Sequence, residues 1–163
     1  MSTTATKSTR GGKFLTFVLG KEGYGLEILK VREIIGIMDI TAVPRVPGHV
    51  KGVINLRGQV ISVIDLRSKF GMSEADRTEE TCIIVVETTS SNGRKRSTGL
   101  VVDKVSEVLN ITEEQIEDAP GFGSSLDTDF ILGMGKIGQS VKILLDINKV
   151  LGADDEVPLM AAA

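Results

Sequence analysis

The stretch "GVINLRGQVISVIDL", Gly52–Leu66, gives the clearest indication of the fold. Two runs rich in Val and Ile, which favour strands, flank Arg57 and Gly58. A glycine at such a point accepts the positive φ of a tight hairpin turn. The stretch leads into "DLRSKFG", 65–71, where an aspartate stands at the N-cap position and a glycine ends the segment. We therefore predict two buried strands joined by a turn and followed by a short helix.

The same pattern occurs a second time in the chain. "GMGKIGQSVKILLDI" aligns with the first stretch from Gly133 onward, so that Asp146 falls on Asp65. Upstream, "GLEILKVREII", 25–35, matches "GLVVDKVSEVL", 99–109. Two matches in the same order along the chain favour an internal duplication over chance similarity between β-rich segments.

The remaining sequence alternates short β-rich runs with turn residues, which is typical of an all-β barrel or sandwich. We predict an all-β domain with short helices, built from two related subdomains. Their approximate ranges are 13–71 and 81–145, with a C-terminal helix at 146–152. The Ser/Thr/Gly-rich residues 1–12 are expected to form a disordered tail, and 153–163 a flexible one.

The segment "KVREIIGIM", 30–38, is ambiguous, because its apolar spacing fits either a helix turn or a bulged strand. Within it, Val31 and Ile34 are expected inside if the segment only contributes to the core, with Arg32 and Glu33 in water. Alternatively, Val31 belongs to an exposed apolar patch flanked by Glu33. The sequence leaves both interpretations open.

Composition argues against several classes of partner. The 163 residues include 22 acidic and 19 basic side chains, for a net charge of -3, whereas nucleic-acid binding calls for a basic surface. Aromatic residues make up only 4% and Trp is absent, so base-stacking platforms are not expected. No secretory signal is recognisable, and no apolar run approaches the roughly 20 residues of a membrane helix. We expect a soluble cytoplasmic protein.

The common catalytic constellations are missing from the sequence. His49 and Cys82 are each the only residue of their type, and the glycine-rich segments lack a phosphate-loop ending. We therefore predict a binding module without a metal or cofactor. An enzyme that uses only Asp, Glu and Lys, or a small barrel that binds another ligand, is an alternative with less support.

Arg57 has three possible roles at this point. It is a solvated turn residue, a partner in an ion pair with a carboxylate such as Glu33, or a recognition residue at an interface, where Arg is enriched. The aligned hairpin has Gly138 in the same place, so the architecture does not require an arginine there. This difference favours a task specific to the first copy. Asn55 is expected to cap the turn or to hydrogen-bond its backbone.

Four stretches of the chain resemble the CheW-like domain family of bacterial chemotaxis adaptors. They are "FLTFVLGKEGYGLEILKVREI", "VPRVPGHVKGVINLRGQVISVIDLR", "TGLVVDKVSEVL" and "GMGKIGQSVKILLDI", which span about Lys13 to Gly152. The most specific motif is "KGVINLRG" followed by a strand and "DLR". The resemblance implies two small five-stranded β-barrels of the SH3/OB type, with a third apolar core between them and strands exchanged between the halves.

The resemblance also implies a function without catalysis. Members of this family link the cytoplasmic tip of chemoreceptors, a helical hairpin, to the C-terminal regulatory domain of the histidine kinase CheA. We therefore expect an adaptor that is monomeric alone and is recruited to receptor arrays at the inner face of the membrane. No nucleic acid, cofactor or membrane insertion is expected. An adaptor of a non-chemotaxis receptor–kinase pathway is the alternative.

The binding residues follow from matching this sequence to the family motifs. Val31, Glu33 and Arg57 match positions that matter for receptor or kinase coupling. Asn55, Leu56 and Gly58 belong to the same motif. From the repeat, we place Val102 and Val105 near a groove between the subdomains.

Overall fold

The computed structural model describes residues 10–89, 93–119 and 129–152. Its strands are β1 (Gly12–Leu19), β2 (Glu22–Glu27), β3 (Val31–Gly36), β4 (Val50–Leu56), β5 (Gln59–Asp65), β6 (Cys82–Thr89), β7 (Lys95–Val102), β8 (Lys104–Ile111), β9 (Ile116–Glu117), β10 (Ile131–Ile137) and β11 (Ser140–Leu145). The helices α1 (Leu66–Lys69) and α2 (Ile147–Val150) have one turn each. The all-β class with short helices is confirmed. The predicted tails at 1–9 and 153–163 lie outside the described residues.

Each of the two sheets contains strands from both halves of the chain. Sheet 1 has the order β8-β1-β2-β11-β10-β9, and sheet 2 has the order β3-β6-β7-β5-β4. The ranges 13–71 and 81–145 therefore do not correspond to the sheets. A single residue, Asp103, separates β7 from β8, and a hairpin needs at least two loop residues. Strand β8 consequently pairs with β1 in the other sheet rather than folding back on β7.

The duplication predicted from the sequence is visible in the strand pairing. Hairpins β4–β5 and β10–β11 are equivalent, and each adds in parallel to a strand of the other half, β5 to β7 and β11 to β2. The sixth strand of sheet 1 is β9, which forms two residue pairs with β10. At the equivalent place, sheet 2 has the single bridge between Thr41 and Val53, so it has five strands. Both strand orders run from edge to edge, so the sheets are open rather than hydrogen-bonded barrels.

The glycines that coincide in the repeat mark the places where a third segment approaches each hairpin. Gly52 has a φ of +140°, and a Cβ there would overlap the carbonyl oxygen of Thr41. A Cβ at Gly133 would lie 2.5 Å from a methyl group of Ile116. Both hairpins also shift register at these glycines. Both positions require glycine, because a side chain there would prevent the third segment from pairing with the hairpin.

The ambiguous segment 30–38 forms a bulged strand. A 3-10 turn covers Ile28–Lys30, and β3 then shifts its register against β6 between Val31 and Glu33. Val31 is half-buried against apolar residues, but Ile34 is 43% exposed. Ile34 therefore does not face the core, because the bulge changes which side chains point inward.

Three apolar cores hold the sheets, which confirms the central core implied by the resemblance. Alternate residues of β6 face opposite sides: Ile83 and Val85 lie in the core of sheet 2, and Ile84 and Val86 lie between the sheets. The core of sheet 1 consists of Phe14, Ile111, Ile116 and Leu144. The central core takes buried residues from both sheets and both helices: Leu15, Phe17, Leu19, Leu26, Val50, Ile64, Leu66, Ile84, Val86, Leu100, Val102, Leu145, Ile147 and Val150.

Both helices begin at the aspartates that the sequence predicted as caps. The Oδ1 atom of Asp65 accepts a hydrogen bond from the backbone N–H of Arg67 at 2.9 Å. The Oδ1 atom of Asp146 accepts one from the N–H of Asn148 at 3.1 Å. Each cap satisfies a backbone donor that a helix start leaves without a partner.

Residues 10–12, which the sequence assigned to the tail, belong to the folded domain. Gly12 begins β1, and the guanidinium of Arg10 donates to Asp118 at 2.7 Å and to Glu113 at 3.0 Å. These carboxylates flank β9 at one edge of sheet 1, so Arg10 connects the start of β1 to that edge. Ion pairs of Arg10 therefore fix the start of the domain, and polar composition alone does not reveal them.

We predict that Gly52→Ala lowers the free energy of unfolding by about 3 kcal/mol or more, because the new Cβ must displace Thr41 and sits at a strained φ. Gly48→Ala is the matched control, because open space surrounds its Cβ position. Chemical denaturation of the three proteins measures the difference. Equal stability of the two variants would contradict the close approach of Thr41.

Candidate partner-binding site

Arg57 occupies a backbone conformation that usually belongs to glycine. Its φ is +53°, and that of the following Gly58 is +87°. The equivalent residue of the second hairpin, Gly138, has a φ of +60°. A side chain disfavours this left-handed conformation, so a glycine would fit the first turn as it fits the second. The presence of arginine therefore calls for a role of its side chain.

That side chain forms a two-pronged ion pair with Glu33. The Nη1 and Nη2 atoms of Arg57 donate to Oε2 and Oε1 of Glu33 at 2.6 and 2.5 Å. Glu33 lies on edge strand β3, and Arg57 belongs to the hairpin that contains the opposite edge strand, β4. The ion pair thus joins two edges of sheet 2 that backbone hydrogen bonds leave apart.

The pair holds the arginine in place while leaving much of it exposed. The side chain of Arg57 is 70% exposed and that of Glu33 is 29% exposed. Hydrogen bonding from Arg57 lowers the pKa of Glu33 below its ordinary 4.5, and the nearby charge of Arg32 adds to the effect. The same hydrogen bonding raises the pKa of Arg57. Both groups are charged at neutral pH, so Arg57 is an oriented cation on the surface.

The rest of the "NLRG" turn supports this arrangement. The Oδ1 atom of Asn55 accepts a hydrogen bond from the backbone N–H of Gly58 at 2.8 Å, as the sequence predicted. Leu56 is half-buried and packs against the core of sheet 2. Of the three roles considered for Arg57, the turn residue and the ion-pair partner are both observed, and they coexist.

The valines assigned to the second half differ in exposure. Val105, on β8, is half-buried against the central core, and Val31 on β3 has the same surroundings. Val102 is only 1% exposed and belongs to the central core. Val102 is therefore not exposed for direct contact with a partner, because β7 runs through the middle of sheet 2, where both faces are covered. Its expected place near a groove stays a prediction.

The sequence interpretation missed Leu29, which is 94% exposed in the turn between β2 and β3. The repeat aligns Leu29 with Asp103, so an apolar residue stands where the other copy has a charged one. The difference between Leu29 and Asp103 could have indicated an exposed apolar residue from the sequence alone.

Four further exposed apolar residues form equivalent pairs in the two copies. Ile34 and Val108 occupy matching places on β3 and β8, and their side chains are 43% and 49% exposed. Val60 and Val141 match on β5 and β11, at 44% and 50%. The apolar surface is thus repeated on both sheets.

Metal sites and membrane-spanning helices are both absent from the described ranges. No group of three His, Cys, Asp or Glu side chains within them is arranged to hold a metal ion. None of the helices there has the length and apolar character needed to cross a membrane.

A family model, the CheW-like domain, matches residues 13–155. The chain belongs to the CheW-like domain family. It is 44% identical over 147 residues to "Chemotaxis protein CheW" of Klebsiella aerogenes, covering 90% of this chain and 86% of that protein. It is 37% identical over 145 residues to "Probable chemotaxis protein CheW" of Rhizobium etli, covering 88% and 90%.

A solved structure gives the same result for this CheW-like chain. The crystal structure of the scaffolding protein TtCheW from Thermoanaerobacter tengcongensis superposes with a TM-score of 0.77 at 35% identity. The match covers 91% of this chain and 98% of that one. The family consists of non-catalytic adaptors and scaffolds, so this CheW-like chain is an adaptor rather than an enzyme.

We predict that Arg57→Gly raises the pKa of Glu33 toward 4.5, because the main group that favours its charged form is removed. Since the folded-state pKa of Glu33 is lowered, the ion pair stabilises the fold above the ordinary pKa and loses this effect as pH falls through the lowered value. Carboxyl ¹³C NMR across an acid titration measures the change.

Arg45→Gly is the matched control for this titration, because Arg45 also has a positive φ, +63°. It should leave the titration midpoint of Glu33 unchanged. An unchanged midpoint in Arg57→Gly as well would show that the ion pair does not form in solution.

Proposed function

We propose that this CheW-like chain couples chemoreceptors to the histidine kinase CheA in chemotaxis signalling arrays. The observation that carries the proposal is the oriented, exposed guanidinium of Arg57 at a turn where the duplicated copy uses glycine. The names of its relatives, a chemotaxis protein and a scaffolding protein, support the same role. The chain would work in the cytoplasm, recruited to arrays at the inner face of the membrane.

The receptor tip would bind on sheet 2, beside the turn that contains Arg57. A helical hairpin presents an apolar stripe, which suits a surface with exposed or half-buried apolar side chains. Leu29 and Val31 supply such side chains at the entry to β3. Leu56 adds a half-buried contribution from the turn. Val105 would extend this surface onto sheet 1.

Arg57 would recognise a polar group on the receptor. A guanidinium has five N–H donors, and Glu33 receives two of these hydrogen bonds. The remaining donors suit a backbone carbonyl or a carboxylate at the edge of the receptor helix. Because Glu33 already orients the guanidinium, less side-chain entropy is lost on binding. The role of Glu33 is therefore to position Arg57.

The regulatory domain of CheA would bind through the repeated apolar pairs. Ile34 and Val60 lie on sheet 2, and Val108 and Val141 are their equivalents on sheet 1. An adaptor with an equivalent apolar surface on each sheet can contact two kinase domains at once and continue a ring or an array. Single contacts of this size are weak, and their number in an array would supply avidity.

We predict that Arg57→Gly and Val31→Asp each weaken binding of a soluble receptor-tip fragment by about tenfold or more, while the affinity for the CheA regulatory domain stays the same. Arg57→Gly removes the donors without straining the turn, and Val31→Asp puts a charge on the apolar surface. Isothermal titration with each partner measures the affinities, after circular dichroism has verified folding.

Arg45→Gly is again the control, and it should bind both partners like the wild type. Unchanged receptor affinity in both test variants would place the receptor surface elsewhere. A wild-type protein that binds neither partner would overturn the adaptor function itself.

We also predict that Val60→Glu and Val141→Glu each weaken binding of the CheA regulatory domain by about tenfold, because an introduced charge must be desolvated at an apolar contact. Gln59→Glu and Gln139→Glu add the same charge at exposed neighbouring positions and should have little effect. Analytical ultracentrifugation with the kinase domain measures complex formation. Full binding by both Val variants would exclude these pairs as the docking surface.

A further inference from the structure

The ion pair between Arg67 and Asp103 uses motif residues to which the proposed function assigns no role. Arg67 belongs to "DLR", and Asp103 to "VVDKV". The Nε and Nη2 atoms of Arg67 donate to Oδ1 and Oδ2 of Asp103 at 2.8 and 2.6 Å. The two side chains are 18% and 28% exposed, so the pair is less exposed than that of Arg57 and Glu33, at 70% and 29%.

This pair connects three segments of the fold. The Oδ2 atom of Asp103 also accepts from the backbone N–H of Gly20, in the β1–β2 turn of sheet 1, at 2.8 Å. The N–H of Asp103 donates to the carbonyl of Val18 at 3.1 Å. Arg67 lies on α1, which follows β5 of sheet 2, and Asp103 is the one residue between β7 of sheet 2 and β8 of sheet 1.

The duplication provides an internal comparison for this connection. In the other copy, Leu29 stands in place of Asp103 and Asn148 in place of Arg67. Asn148 accepts instead from the N–H of Thr89 at 3.1 Å, and Leu29 is exposed. The chain therefore passes from sheet 1 to sheet 2 at Leu29 without the ion pair that is present at Asp103. An ion pair at only one crossing is not a requirement of the architecture.

We propose that Arg67 and Asp103 are positioning residues that make the two sheets respond as one unit, so that binding of the receptor beside Arg57 on sheet 2 changes the affinity of those kinase contacts that lie on sheet 1, Val108 and Val141. This inference rests on the proposed function. The crossing at Leu29 leads directly into β3, which contains Val31 and Glu33 of the proposed receptor site. The crossing at Asp103 leads into β8 and, through Gly20, reaches the β1–β2 hairpin.

Coupling of this kind is measurable as a ratio of affinities. The affinity of the CheA regulatory domain is measured with and without a saturating receptor-tip fragment, and the ratio of the two values is the coupling factor. We expect a factor of about five or more in the wild type and about one in Asp103→Asn. Asparagine keeps the shape of the side chain and an acceptor for Gly20, but it does not form the ion pair with Arg67.

The binary affinities distinguish positioning from a merely structural role. We expect the affinities of Asp103→Asn for each partner alone to stay within about twofold of wild type, since neither residue lies on a proposed contact surface. Arg67→Met should reproduce the loss of coupling. Glu117→Gln is the control, because it breaks an exposed ion pair with Lys136, 2.6 Å long, that lies within sheet 1.

Hydrogen exchange provides a readout that does not depend on any partner. In Asp103→Asn we expect faster exchange of the β8 amides and of the Gly20 amide, with unchanged exchange in β10 and β11. Faster exchange together with an unchanged coupling factor would overturn the inference. Equal loss of both binary affinities would also overturn it, because the pair would then only maintain the fold.

The two proposals fail in different ways. A wild type that binds both partners with a coupling factor of one overturns the coupling and leaves the adaptor function standing. A wild type that binds neither partner overturns the adaptor function and, with it, this inference.

Discussion

The central strands of this protein are apolar on both faces, and the rest of the structure follows from the need to cover both. Ile83 and Val85 of β6 require one apolar layer, and Ile84 and Val86 require another on the opposite side. A single sheet folded on itself covers only one face. The chain covers both faces of these strands by exchanging strands between two sheets, so that a shared core forms between the sheets. Burial of this kind is the main source of stability in such a small domain.

Both sheets are open and therefore have edge strands. Ion pairs connect several of these sheet edges. Arg57 and Glu33 connect the two edge regions of sheet 2, and Arg10 connects the start of β1 to the carboxylates around β9 in sheet 1. Charged side chains at an edge also discourage unwanted pairing with other chains. At Arg57 the ion pair also leaves an oriented cation in water, on which the proposed receptor contact depends. A structural need and the proposed recognition role are thus combined in one residue.

A comparison of the two copies distinguishes residues that the fold requires from residues that are specific to one copy. Gly52 and Gly133 are equivalent because both hairpins must admit a third segment, and Asp65 and Asp146 both begin a helix. Arg57 has glycine as its counterpart, and Asp103 has an exposed leucine as its counterpart. The shared residues are explained by local geometry. The differing residues lie at the turn and at the crossings between sheets, where we propose a partner contact and the coupling of the two sheets.

Local features were determined by the sequence alone: the hairpins, the helix caps, the duplication and the family, because each depends on residues close together in the chain or on a motif. Which sheet each strand joins became clear only from the folded structure, because it depends on a one-residue crossing and on the pairing of distant segments. The folded structure also shows that Val102 is buried and Leu29 exposed, although both are apolar residues next to strand ends. The Arg57–Glu33 pair was one of three possibilities until β3 and the β4–β5 hairpin were brought together. Side-chain burial depends on what covers a strand, and covering elements come from the other half of the chain.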